Sequence, residues 1–238
     1  MPTAMFDRIR KAFSKEGREP ADTAGVASQI THGPVSEWAG TQGFSFSLDS
    51  SGQGIALEGE VSGKPWRLQL GRPSRNYIFG EEIRARAELG LPEDAAVLIM
   101  NRPLRDALEK QAYEMYTDPL QTSADPKLPE EMRWLAMFDE VGWETLPKEF
   151  WARYAVLTDN RDTAMAWIHA PLARLMLDWA DPGPSEEVPC MLLLLRGKAY
   201  LRMEYTPADL ATLQHAALIF TTACEAALGG VRPPKAAS

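Results

Sequence analysis

Histidine and cysteine are scarce in this chain, at 3 and 2 of 238 residues. His32, His169 and His215 stand apart from one another and from Cys190 and Cys224. No pair has the spacing of a zinc site, so no metal ligand is expected. Two cysteines in apolar stretches are too few for a disulfide framework. They read as buried thiols in a reducing compartment, which places the protein in the cytoplasm. Long apolar runs are missing too. The longest, Cys190 to Leu195, has the length of a buried strand, whereas crossing a bilayer takes roughly 18–20 residues. The first residues, Met1 to Phe13, carry charges where a secretory signal needs an apolar core. Positive charge is in short supply overall. The net charge of −8 argues against nucleic acid as a partner, since that binding needs a basic footprint.

Catalytic and cofactor signatures are also lacking. Gly52, Gly54 and Gly59 fit no phosphate loop, no GxGxxG fingerprint occurs, and no Gly-x-Ser-x-Gly elbow presents a nucleophile. No cofactor is expected. The acidic pairs Glu81-Glu82, Glu130-Glu131 and Glu186-Glu187 point in different directions on any regular element, so adjacency alone makes no catalytic dyad.

What is present is an uneven charge and a clear periodicity. Met1 to Arg18 carries +3, Lys64 to Arg86 carries +4, and Glu114 to Asp162 carries −6. Residues 1–17 read as a short basic amphipathic helix, with Met5, Phe6, Ile9, Ala12 and Phe13 at helical spacing. Residues 18–40, rich in Ala, Gly, Ser, Thr and Pro, read as a linker. From Phe44 the period becomes two. Phe44, Phe46 and Leu48, then Ile55, Leu57 and Val61, then Trp66, Leu68 and Leu70 alternate with polar residues, separated by turn residues. This predicts a three-stranded antiparallel meander with one apolar face. Ile83 to Leu89 continues the alternation, although its Ala, Arg and Glu also suit a helix. Val97 to Met100 reads as a short strand, after which Asn101 is expected to cap a helix.

Thr117 to Asp181 reads as a helical insert rich in aromatic residues. Its helices are expected to open at Pro129, at Pro147 (with Phe150, Trp151, Tyr154 and Leu157 in one stripe) and at Asn160, the last broken at Pro171. The continuous apolar run Val188 to Leu195 predicts a strand buried on both faces, paired through Arg196-Gly197-Lys198 with an alternating strand to Tyr205. Thr206 and Pro207 are expected to start a last helix, closed by Gly229-Gly230, with 231–238 as a disordered tail. The class is therefore α+β: a meander and a C-terminal hairpin packed with helices, in one domain over 41–230. The order of helix, meander, helix, hairpin and helix is similar to that of bacterial type III secretion chaperones, which implies a binding role. The insert 117–181 has no counterpart there.

Two groups stand out as candidates for partner binding. Arg67, Arg84 and Arg86 share the polar face if Ile83 to Leu89 is a strand, with Arg72 and Arg75 in the connecting loop. Such a patch suits an acidic peptide or a phosphate. Trp134, Trp143 and Trp151 belong to the aromatic insert, where rings that escape burial would line a recognition groove. The reading these features favour is a non-catalytic protein-interaction module, an adaptor or chaperone-like binder, whose partner is another protein or a second copy. Two alternatives stay open. One is an enzyme using carboxylates and arginines in a cleft between sheet and insert. The other is weak membrane docking through residues 1–18.

Overall fold

Two tight turns set the register of the sheet. Ser62-Gly63 and Arg196-Gly197 each place two successive residues at positive φ (50°, 73° and 52°, 74°). This is the mirror-image turn whose twist matches antiparallel strands. Each closes a two-residue hairpin, joining β2 (Ile55–Val61) to β3 (Lys64–Gly71), and β8 (Cys190–Leu195) to β9 (Lys198–Glu204). The computed structural model describes residues 32–49, 52, 54–116 and 130–231. The expected basic helix 1–17 and most of the tail 231–238 lie outside them.

The remaining strands are β1 (Ser45–Leu48), β4 (Glu82–Glu88), β5 (Val97–Asn101), β6 (Asp139–Val141) and β7 (Tyr154–Thr158). All nine form one antiparallel sheet in the order β1-β2-β3-β4-β9-β8-β5-β7-β6. The α+β class and the meander are as expected, and the segment 83–89 is strand up to Glu88. Helices α1 (His32–Thr41), α2 (Arg102–Tyr116), α3 (Glu130–Met137), α4 (Lys148–Arg153), α5 (Arg161–Trp167), α6 (Ala170–Leu177) and α7 (Leu210–Gly230) complete the described elements.

One face of the sheet packs against α7 with α5 and α6 behind it, and α1 closes the β1 end. Trp167 is fully buried there and donates its indole N–H to the Ala223 carbonyl at 2.9 Å. On the opposite face, α2, α3 and the 72–81 loop cover β8, β5 and β7, through Leu98, Met100, Leu157, Met191 and Leu193, and reach only the near ends of β4 and β9 at Glu82 and Glu204. Strands buried on both faces carry no alternation. Hence β8, β5 up to Met100 and β7 up to Leu157 run without polar alternation, whereas β3, β4 and β9 alternate.

Several local expectations are corrected. Residues 32–40 of the expected linker are helical, because Val35 and Ala39 are fully buried and Trp38 packs edge-on against Phe44 at 5.7 Å. The insert is not wholly helical, since it supplies β6 and β7. The stripe Phe150, Trp151, Tyr154, Leu157 runs across a junction where α4 stops at Arg153 and the fully buried, β-prone Tyr154–Thr158 extends. These added strands also end the likeness in element order to type III secretion chaperones. The break between α5 and α6 falls before Pro171, at Ile168-His169, with the His169 ring accepting the Leu172 N–H at 3.1 Å. The last helix starts at Leu210, not at Thr206-Pro207, because Asp209 caps it by accepting from Thr212 N at 2.7 Å. Its end is where expected, at Gly229-Gly230. A Cβ on Gly230 would sit 2.0 Å from the Ala166 carbonyl oxygen, so this glycine also permits contact between α7 and α5.

Asn101 likewise does not cap α2 with its side chain. Its amide donates to Glu186 O (2.7 Å) and accepts from Cys190 N (2.9 Å), tying β5 to the approach of β8. Both cysteines are buried, and desolvation pushes each thiol up to about 12, which keeps them protonated and unreactive. Among the described residues, no helix is long and apolar enough to cross a membrane.

Candidate functional site

The alternation that buries one side of β2, β3, β4 and β9 sends the intervening residues to the other side, where the helical cover stops. The strand register lays them out in rows. One row runs Glu58, Arg67, Arg86, Tyr200, Leu193 from β2 to β8. The next runs Gln69, Arg84, Arg202, Met191 from β3 to β8. Beyond it, Glu82 stands opposite Glu204. These rows floor a groove of about 1200 Å³, open to solvent along one side and walled by Glu130, Glu131 and Trp134 at the start of α3.

The seam between bare and covered sheet is an ionic network. Glu131 is fully buried, and its Oε1 accepts from Arg75 Nε at 2.5 Å, Arg202 Nη1 at 2.9 Å and the Tyr77 hydroxyl at 3.0 Å. Glu82 is buried beside it, pairs with the Arg202 guanidinium (Nε–Oε1 3.0 Å) and accepts from the Ser74 backbone and hydroxyl. Arg202 therefore bridges two buried carboxylates, one on the sheet and one on α3. Glu204 completes the lashing by accepting from Phe79 N at 2.8 Å. Three cationic or hydroxyl donors on one carboxylate offset its desolvation, which an isolated buried charge would not survive. Burial lowers the affinity of the Arg75 guanidinium for its proton, but Glu131 outweighs that and raises it. Burial and the same carboxylate push the Tyr77 hydroxyl well above the usual phenol range. The network fixes the loop and α3 on the sheet and thereby shapes one wall of the groove.

Further out, the charges pair at the surface. Arg67 meets Glu58 at 2.5 Å with both side chains half exposed, a cross-strand pair set by the β2–β3 register. Arg86 bonds Glu88, which Lys198 also meets at 3.1 Å, and the Arg86 guanidinium lies 6.0 Å from the Tyr200 ring centre. These pairs hold the Arg86 guanidinium above its ordinary range and the Glu88 carboxyl below its own.

Of the residues singled out in the sequence, the groove gathers Arg67, Arg75, Arg84, Arg86 and Trp134. Arg72 is exposed on the 72–81 loop and is not part of the lining. Trp143 and Trp151 are elsewhere, packed on each other edge-to-face at 5.0 Å, with the Trp151 indole donating to Trp143 O. The sequence reading missed Arg202, Tyr200, Glu82 and Tyr77. Tyr200 and Arg202 were visible as the polar phase of their strand, but no local pattern says that β9 lies beside β4. Among the described residues, no cluster of three or more His, Cys, Asp or Glu side chains is arranged to hold a metal ion.

Comparison with known proteins adds little to this geometry. No protein-family model matches the chain, and no curated protein does. Among solved structures, the crystal structure of the mycobacterial trehalose monomycolate transport factor A is similar at a TM-score of 0.43 and 11% identity. That alignment covers 85% of this chain and 96% of that one. A likeness of that order carries nothing about partners or activity, and the groove itself is the basis for a functional reading.

Proposed function

We propose that this chain is a non-catalytic protein-interaction module whose recognition surface is the bare half of the sheet, from β2 to β4 and β9. The observation that carries the reading is the open groove of about 1200 Å³ on a rigid strand floor, lined by arginines and bordered by Trp134. Arginine and tryptophan supply a large share of binding energy at protein interfaces. Here they are held by strand register and by a buried network, so little ordering is required on association. Glu131 beside Arg75 and Arg202 is the arrangement an enzyme reading would seek, but all three donors converge on it to hold α3 in place.

Photo-crosslinking with the full chain in its native cells tests the reading. A photoreactive phenylalanine replaces Gln69 in the groove floor, or Leu218, which is half exposed on α7. The module reading requires one discrete protein adduct from position 69 that is missing from position 218. No adduct at 69, or identical adducts at both positions, contradicts it.

A further inference from the structure

The rows of the groove contain a charge arrangement that the fold alone leaves incomplete. Arg67 stands opposite Arg86 across β3 and β4, and Arg84 stands opposite Arg202 across β4 and β9. Like charges directly opposite on one face destabilise a sheet unless something neutralises them. Three of the four are neutralised: Arg67 by Glu58, Arg86 by Glu88, and Arg202 by Glu82 and Glu131. Arg84 is the exception. The carboxylate nearest it is Glu82, at 4.0 Å from its Nε, and Glu82 already serves Arg202 and Ser74. Arg84 Nε is buried and makes no hydrogen bond to any described residue, while the side chain as a whole remains about one-third exposed to the groove. A buried donor without an acceptor is uncommon enough in native structures to require an explanation.

We infer that Arg84 receives a carboxylate of an extended acidic peptide lying in the groove. This inference rests on the recognition reading above and names the chemistry of its partner. A carboxylate meets a guanidinium through two parallel hydrogen bonds, which supplies the acceptor Arg84 lacks. Spacing favours a peptide over a single small anion. Arg84 and Arg86 lie two residues apart on one strand, about 6.8 Å, the same repeat as alternate side chains of an extended chain. The occupant is therefore an extended chain lying along β4 and acidic at alternate positions.

The test is calorimetric titration of the full chain at low ionic strength, with amide chemical shifts to locate binding. The probe is the peptide Thr-Glu-Thr-Glu-Thr, compared with the same peptide carrying Lys for Glu and with inorganic phosphate. The acidic peptide is expected to bind with shifts centred on β3, β4 and β9. Arg84→Gln should weaken it about tenfold, the scale of one charged hydrogen-bonded contact. Arg84→Lys should retain part of that affinity, since it keeps the charge but not the two-pronged geometry. Arg174→Gln, on exposed helical surface, should change nothing. Equal binding of the lysine peptide, tighter binding of phosphate, or indifference to Arg84→Gln each overturns the inference. If the acidic peptide fails while position 69 still crosslinks a partner, the acidic ligand is wrong and the surface stands. If both fail, the surface itself is lost.

Discussion

The two halves of this sheet are built from the same backbone pattern and differ in what covers one face. On β8, β5 and β7, α2 and α3 lie over Leu98, Leu157 and Leu193, and the strands are apolar on both sides. On β2, β3, β4 and β9 the same face carries Glu58, Arg67, Arg84, Arg86 and Arg202, and one wall of a groove stands where the helices end. The covered half is stabilised by removing apolar area from water. The bare face contributes little to stability and presents charge in fixed register, while the other face of the same strands packs on α7. Between them, the Glu131 network holds the edge of the cover in position. In the proposed reading, stability and recognition are thus divided along one line across a continuous sheet.

That division gives graded expectations. Leu98→Ala, in the covered half at full burial, should lower the unfolding free energy by about 4 kcal/mol in urea titration. A cost below about 1 kcal/mol would mean that the cover is loosely packed. Glu131→Ala removes the shared acceptor of the seam and leaves Arg75, Arg202 and Tyr77 without it. It should cost about 3 kcal/mol and increase hydrogen exchange in the 72–81 loop and α3. If only global stability changed, with no local opening, the seam would not be what holds the cover. Arg67→Ala in the bare half breaks a pair that is half exposed on both sides, and the stability change should stay within about 0.5 kcal/mol. A larger loss would show the bare face to be structural.

The smallest expected effect is pH-dependent. Bonding to Arg86 and Lys198 holds the Glu88 carboxyl below its ordinary value of 4.5. A depressed folded-state value means the stabilisation is fully present above pH 4.5 and disappears as pH falls through the folded value. The melting temperature of the native chain should therefore drop slightly more than that of Glu88→Gln between pH 5 and pH 3. Parallel curves would remove this contribution.

How far the sequence carried can be judged from particular elements. The meander, the both-faces-buried strand β8 and the polar phase of β4 were legible because period-two alternation and turn residues are local. A cross-strand partner for Arg67 was legible only as Glu58 or Glu60, because the choice depends on the exact turn, Ser62-Gly63, that sets the register. The strand β7 was not legible, because Phe150, Trp151, Tyr154 and Leu157 mimic a helical stripe across a helix–strand junction. Nor was the groove as a whole. Its floor depends on β9 docking beside β4, and its wall on α3 being tethered to Arg202, both of which are long-range pairings. The arginine cluster was visible as composition, but that Arg84 alone among the four lacks a close carboxylate emerged only in three dimensions.

The most direct test of the division is a double charge reversal on the bare half, Arg84→Glu with Arg86→Glu, made in the full chain. Its affinity for the protein recovered by crosslinking at position 69 would be measured alongside its melting temperature. The account predicts loss of binding with the fold and melting temperature nearly unchanged. Retained binding would contradict it, as would a collapse of stability, which would make the bare half part of what holds the fold together.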